Sequence, residues 1–202
     1  LNALQLTPAS YISFLVLYRY YDRRYQALFG NAFSQGSTVQ NEQGVYMGFQ
    51  LTPIARWKLS VYADLFRFPW LKYGIDAPSG GQEYMAQIDY TPSRNYSAYL
   101  RYKYRQKEKN GTFENDNLLK INTCKQHRIR FQQVYNFSSP FIFKTSLDGI
   151  LFDDPIKKLN KGIMISQSIG WKPTTLPLQI DGYLAWFYTD DYNSRVSSYE
   201  KN

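Results

Sequence analysis

Tyr96-Ser97-Ala98-Tyr99-Leu100-Arg101-Tyr102-Lys103-Tyr104-Arg105 is the stretch that decides the fold class. Wound as a helix, it would scatter its charges around the whole axis. Drawn out as a strand, it sends successive side chains to opposite sides. Tyr96, Ala98, Leu100, Tyr102 and Tyr104 then share one face, and Ser97, Tyr99, Arg101, Lys103 and Arg105 the other. The period is two, and the segregation of charge is complete.

The same pattern extends outward in both directions. Nine strands are predicted: Tyr11–Tyr21, Gly44–Leu51, Trp57–Phe66, Glu83–Tyr90, Tyr96–Arg105, Arg128–Phe137, Phe141–Leu151, Ile163–Trp171 and Leu178–Tyr188, with partial ones at Leu1–Leu6 and after Arg195. Trp57, Leu59, Val61, Ala63 and Leu65 oppose Lys58, Ser60, Tyr62, Asp64 and Phe66; Phe141, Phe143, Thr145, Leu147, Gly149 and Leu151 oppose Ile142, Lys144, Ser146, Asp148 and Ile150. Across the nine segments the apolar faces carry no Asp, Glu, Lys or Arg. The polar faces carry Arg19, Lys58, Asp64, Glu83, Asp89, Arg101, Lys103, Arg105, Arg128, Arg130, Lys144, Asp148 and Asp181.

Punctuation alternates along the chain. Pro-marked turns are expected at Leu6-Thr7-Pro8-Ala9, Leu51-Thr52-Pro53-Ile54, Tyr90-Thr91-Pro92-Ser93, Phe137-Ser138-Ser139-Pro140 and Trp171-Lys172-Pro173-Thr174. Between them lie longer polar stretches at Asp22–Gln43, Pro69–Gln82, Gln106–Thr123 and Asp153–Lys161, with another from Asp190. Two architectures alternate in this way. A soluble β-sandwich or lectin-like domain buries its apolar face, whereas a transmembrane β-barrel shows that face to lipid. The barrel is favoured by strands of about ten residues, by alternating short and long connections, and by aromatic residues at both ends of the apolar face. Trp57, Tyr90, Tyr96, Phe137, Phe141 and Trp171 flank the short turns, and Tyr18, Tyr20, Tyr104, Trp186 and Tyr188 lie toward the long loops.

Composition bounds the function. The chain has 202 residues, which suits one domain over 1–202. Its single Cys excludes an intrachain disulfide, and one Cys with one His cannot build a Cys/His metal cluster. No apolar run reaches the ~18 residues of a membrane-crossing helix. Both ends read as cuts through the repeating pattern, so the expectation is part of a larger barrel with an even strand total. A formal charge of +8 with 19 Tyr superficially suits a nucleic-acid platform. Yet bases and aromatics occupy opposite faces here, so no nucleic acid is expected.

The stretches Tyr21-Asp22-Arg23-Arg24-Tyr25-Gln26-Ala27-Leu28-Phe29-Gly30-Asn31-Ala32-Phe33-Ser34, Asn41-Glu42-Gln43-Gly44-Val45-Tyr46-Met47-Gly48 and Asp64-Leu65-Phe66-Arg67-Phe68-Pro69-Trp70-Leu71-Lys72-Tyr73-Gly74-Ile75-Asp76-Ala77-Pro78-Ser79 resemble the barrel region of Bacteroidota envelope proteins labelled helix-hairpin-helix domain-containing. The resemblance is carried by the first half of the chain. It implies a helical region ahead of an outer-membrane-type barrel, and a bacterial outer-membrane location. The helix-hairpin-helix portion is not in this sequence, and the family offers no catalytic motif to transfer.

Candidate site residues follow from the parity. Arg101, Lys103, Arg105, Arg128 and Arg130 form a basic cluster in the expected lumen, with Asp64, Glu83, Asp89, Asp148 and Asp181 as acidic partners. The cluster is either a cationic wall that favours anions or a charge ladder that neighbouring carboxylates neutralise. Hairpin geometry across Pro92 brings Glu83 near Lys103. Phe29, Phe33 and Trp70 mark loops that fold into the lumen, dock a partner outside, or serve as plain surface connections. His127 lies between Gln126 and Arg128 with its parity toward lipid or the rim, and has no evident Ser or Asp partner. Cys124 reads as a buried or rim thiol. No cofactor and no enzyme activity are expected, a barrel hydrolase being the least supported reading. The expected function is a structural or partner-binding component of an envelope assembly. A pore or transporter with a net-basic lumen is the alternative. Membrane lipid, anionic lipopolysaccharide and other envelope proteins are the expected partners.

Overall fold

The computed structural model describes residues 1–26, 32–36, 38–112, 119–137, 140–155, 159–173 and 177–196. Ten strands run in one antiparallel sheet in sequence order: β1 (Asn2–Ala9), β2 (Ile12–Tyr21), β3 (Glu42–Ile54), β4 (Trp57–Phe68), β5 (Ser79–Ser93), β6 (Tyr96–Thr112), β7 (Leu119–Asn136), β8 (Phe141–Asp153), β9 (Asn160–Trp171) and β10 (Ile180–Thr189). Each strand pairs with its chain neighbours, and β1 and β10 do not meet, so the sheet is not closed. A single 3₁₀ turn, Tyr192–Ser194, follows β10.

Several expectations are corrected. The partial strand at Leu1–Leu6 is a full strand, β1, paired with β2 from Asn2↔Tyr18 onward. The partial strand expected after Arg195 falls, beyond Val196, outside the described residues. The stretch Gln106–Thr123 is not a loop: β6 and β7 continue in register to Thr112↔Leu119. Alternating side-chain period persists through Lys107 and Lys109, and only 113–118, outside the described residues, separate the two strands. The proline turns do not end pairing outright either. β1, β3 and β5 run through Pro8, Pro53 and Pro92 as irregularities just before two-residue turns. Leu6↔Phe14, Leu51↔Leu59 and Tyr90↔Ala98 precede the shift, and Ala9↔Ile12, Ile54↔Trp57 and Ser93↔Tyr96 follow it. Proline supplies no ladder donor, so an irregularity at the strand end is where it fits.

The turns are linked to one another. The Thr52 N–H donates to the Tyr11 carbonyl at 2.8 Å, and the Thr91 N–H to the Arg56 carbonyl at 2.8 Å. Asn136 donates likewise to Asn95 at 2.7 Å. Turn backbone groups are thereby satisfied by the next hairpin along.

Burial is inverted relative to a water-soluble protein. The largest fully buried side chains are Arg19, Glu42, Asp64, Asp148 and Ser194. Leu100, Ile129, Phe14, Leu147 and Trp186 are exposed, Trp186 by 60%. No second layer covers the apolar face among the described residues, since one sheet holds all ten strands. A single sheet can bury one of its own faces only by curling around it. The polar face is the inside of that curl. The 3₁₀ turn lies directly on β9: a Cβ on Gly162 would collide with the Ser194 carbonyl, so the turn packs onto the strand only because this position is glycine.

Arg56 closes the β3–β4 turn at φ +80°, a backbone region that disfavours side chains with a Cβ. Arg56→Gly is expected to leave thermal unfolding unchanged or shift it slightly upward. Arg56→Val is expected to cost about 1–2 kcal/mol, read from denaturant unfolding of the two variants side by side.

Candidate functional site

The inner face carries three charge assemblies, each spanning neighbouring strands. The first joins β2, β3 and β4. Arg19 Nε donates to Glu42 at 2.6 Å, and Arg19 Nη1 and Nη2 donate to Asp64 at 2.7 and 3.1 Å, with all three side chains essentially inaccessible. Gly44 sits opposite Arg19 in the ladder, and any side chain there would strike the guanidinium. The pairing is bidentate and fully enclosed, the geometry in which a buried ion pair holds together.

Glu42 does more than neutralise Arg19. Its carboxylate also accepts from Ser34 Oγ at 2.8 Å, from the Gln35 N–H at 2.9 Å and from the Gly36 N–H at 3.1 Å. Gln35 Nε2 reaches Asp64 at 2.7 Å, and Lys107 Nζ donates to the Gln35 carbonyl at 3.1 Å. The β2–β3 connection is thus drawn inward over the polar face. Phe33 travels with it, 5.2 Å from the Tyr46 ring and 5.0 Å from the Arg19 guanidinium. Of the openings left by the sequence, the described part of this loop takes the inward one. Phe29 lies outside the described residues.

The second assembly centres on Glu83 of β5, which takes Lys103 Nζ at 2.8 Å as well as Arg105 Nε and the Tyr62 hydroxyl. The third centres on Asp148 of β8. Its Oδ1 accepts from Arg130 Nε at 2.6 Å and from Arg128 Nη2 at 3.3 Å. Arg101 stands apart, because its Nε donates to the neutral amide of Gln87 at 2.6 Å, and Gln87 in turn donates to Asp89. Besides Asp89, which Arg101 reaches only through Gln87, two of the expected acidic partners are placed elsewhere. Asp64 is consumed by Arg19, because β4 lies two strands away from β6. Asp181 is exposed on the edge strand β10, where Gln179 donates to it at 2.7 Å.

A trough of about 590 Å³ runs along the inner face over β7–β10, lined by Arg130, Gln132, Lys144, Ser146, Asp148 and Ser166 among others. Among the described residues, no three His, Cys, Asp or Glu side chains are grouped to hold a metal. His127 faces outward, sharing a 2.8 Å hydrogen bond with the Tyr102 hydroxyl beside the Tyr104 ring. Cys124 is buried on the inner face, opposite Lys107.

On the outer face the aromatics form two rows. At the turn end, Trp57 and Tyr90 rings lie 4.4 Å apart, Tyr90 and Tyr96 6.5 Å, Tyr96 and Tyr135 6.3 Å, and Tyr135 and Phe137 5.2 Å. Phe141 is level with Trp171 across β8–β9. Toward the long loops, Tyr84 and Tyr104 stack at 6.2 Å, and Trp186 and Tyr188 stand level with Ile165 and Ile163. The longer strands add cations to this face beyond the second row: Arg67, Lys125 and Lys161, all exposed. At the same end, Asn41 clamps the Trp70 backbone through its N–H at 2.9 Å and its carbonyl at 2.8 Å. Arg23 lies 5.0 Å over the Trp70 ring. Trp70, Leu71 and Tyr73 remain exposed around this clamp. Lys72 Nζ instead folds back to 3.3 Å from the Phe68 ring, and burial pushes its ammonium pKa down despite the attraction of Glu42.

Glu42 was missed as a site residue from sequence because it reads as the end of a polar loop. Its three-residue offset from Val45 and two-residue offset from Gly44, both in the alternating run, were the available signal. Comparison of the chain with family models, with curated proteins and with solved structures returns no match.

Arg19→Met strands two carboxylates inside the curl, and is expected to cost about 3–5 kcal/mol. Arg19→Met combined with Asp64→Asn is expected to recover a substantial part of that loss. Equilibrium unfolding of the single and double variants checks both.

Proposed function

We propose that this chain is the membrane-spanning wall of an outer-membrane-type β-barrel, and that it serves as a structural or partner-binding component of a bacterial envelope assembly. The observation that carries the reading is the inversion of burial. Arg19, Glu42 and Asp64 are shut away while Leu100, Ile129 and Trp186 are uncovered. Water would penalise a continuous apolar face of this kind, whereas lipid tails would not. From Tyr96 to Tyr104, at ~3.4 Å per residue and a tilt of ~40°, the two aromatic rows stand about 20 Å apart, close to the ~25 Å apolar band of such barrels. Arg67, Lys125 and Lys161 lie just beyond the outer row, at the level where anionic lipopolysaccharide headgroups would meet them. The likeness of the loop-bearing stretches to Bacteroidota envelope barrels agrees with this location.

Partner binding is supported by the long-loop end. Trp70, Leu71 and Tyr73 are presented to solvent on a backbone that Asn41 holds in place. Exposed aromatic residues on a braced loop are the usual anchors of protein interfaces. The second reading, a pore with a net-basic interior, is favoured by one observation: among the described residues, Arg101, Lys103, Arg105, Arg128 and Arg130 share only Glu83 and Asp148 as directly paired carboxylates. Conductance in planar bilayers separates the two readings.

Ser168 and Ile169 are neighbours on β9 with opposite faces. In a Cys124→Ser background, a small fluorophore on Ile169→Cys is expected to be quenched several-fold more by nitroxide-bearing lipid than by an aqueous quencher. The order reverses for Ser168→Cys. Equal aqueous quenching at both sites, or a monodisperse protein in buffer without detergent, would overturn the membrane reading.

A further inference from the structure

We propose that the inner face at the β6–β7 junction is an anion-binding site for a soluble, phosphate-bearing solute, with Arg101, Lys103, Arg128 and Arg130 as its donors. The inference names what the enclosed face takes, and so rests on the interior assignment above.

Register supplies the first ground. Arg101 stands directly opposite Arg130, and Lys103 directly opposite Arg128. Directly opposed residues in an antiparallel pair have Cα atoms about 4.5–5.5 Å apart, and like charges there are destabilising. Two successive rungs on one face are therefore cation against cation. Opposite signs, as in Lys58 opposite Asp89, are the stabilising choice; the like-charged rung Asp64 opposite Glu83 is neutralised from its two sides by Arg19 and by Lys103 and Arg105, whereas Arg101 has only the neutral amide of Gln87.

The second ground is where the carboxylates stand. Glu83 approaches from the β5 side and takes Lys103 and Arg105, and Asp148 approaches from the β8 side and takes Arg128 and Arg130. Both brace the cluster from the strands that flank it, β5 and β8. Arg101 has no carboxylate among the described residues. Its bond to Gln87 and that of Arg130 to Asp148 run through Nε, so the Nη pairs of both guanidinium forks are not spent on those partners; Tyr99 lies between them, hydrogen-bonded to Arg130 and with its ring 5.3 Å under Arg101. Guanidinium forks matched to oxyanion edges, with an ammonium as an added point charge, are the donor set that phosphate groups prefer.

Room and orientation are the third ground. Arg130 lies at the side of the 590 Å³ trough, whose lining continues with Gln132, Lys144, Ser146 and Ser166. A phosphate seated on the cationic rungs would leave the rest of its solute in this trough of mixed lining, where the Gln132 amide and the Ser146 and Ser166 hydroxyls alternate with Val134, Ile142 and Met164. Lipid headgroups have no route to it if the apolar face is the one in the membrane, so the occupant is a solute and not a lipid.

Arg101→Gln with Arg128→Gln is the discriminating variant. It leaves Glu83 paired with Lys103 and Arg105, and Asp148 paired with Arg130. Inorganic phosphate and tripolyphosphate are titrated into detergent-solubilised protein by calorimetry and by thermal unfolding at constant ionic strength. The wild type is expected to bind and be stabilised, tripolyphosphate more tightly than phosphate. The variant is expected to bind at least about tenfold more weakly, since charge-assisted bonds are lost, and without anion to be as stable as the wild type or more so. Failure of the wild type to bind at constant ionic strength overturns the site, as does equal binding by the variant. A variant that is less stable without anion and unaltered in anion response would make the cluster a purely structural ladder. Loss of phosphate binding in nanodiscs containing phosphatidylglycerol, but not in phosphatidylcholine, would transfer the site to a lipid headgroup and overturn the solute assignment. The titration needs no bilayer, so it can succeed or fail independently of the quenching result on β9.

Discussion

Charge shut away on one side of a single sheet must find its partner on that same side, and the strand register follows from this constraint. Arg19 of β2 reaches Glu42 on β3 and Asp64 on β4, with the three side chains essentially inaccessible. Slipping any of these strands by one residue would send its charge to the uncovered face and turn Tyr18 or Leu65 inward. The cost of a stranded buried charge is several kcal/mol, larger than any single outer-face contact contributes. The salt-bridged inner face therefore specifies the pairing, and the apolar outer face tolerates it.

The two ends of the sheet use different physics. At the turn end, three hairpins repeat one solution, in which a Thr-Pro irregularity precedes a two-residue turn and each turn carbonyl receives a donor from the next hairpin. At the other end the described loops differ from one another. One loop is pulled inward by a carboxylate that accepts successive backbone N–H groups, and another is propped outward by Asn41. Asn41 adopts φ +53°, a conformation asparagine reaches more readily than most residues, and this lets its side chain face Trp70. Regularity at one end and individuality at the other is the division between a scaffold and the surfaces it presents.

The β6–β7 junction is where stability and the charge pattern part company. At Arg19 a cation is bracketed by two carboxylates; here two rungs of cations face one another, and the paired acids belong to the flanking strands β5 and β8. Local departures from the lowest-energy arrangement, within a fold that otherwise satisfies its own rules, are where function is to be sought. The same strands are the longest in the sheet and reach past its neighbours, so the junction lies beneath the most extended hairpin of the molecule.

Period-two segregation is a one-dimensional property, and so the sequence alone determined that the chain forms strands, which side chains share each face, and that Glu83 would meet Lys103. It could not place the strand ends of β6 and β7, because polar residues such as Lys107 and Asn110 extend a strand as readily as they fill a loop. Nor could it assign partners beyond adjacent strands: Asp64 belongs to Arg19 and not to the β6–β7 cations. Glu42 gained its role only once the loop folded back upon it. Those outcomes depend on how far the sheet curls and which groups that curl brings within hydrogen-bond reach, a three-dimensional distance that no spacing along the chain encodes.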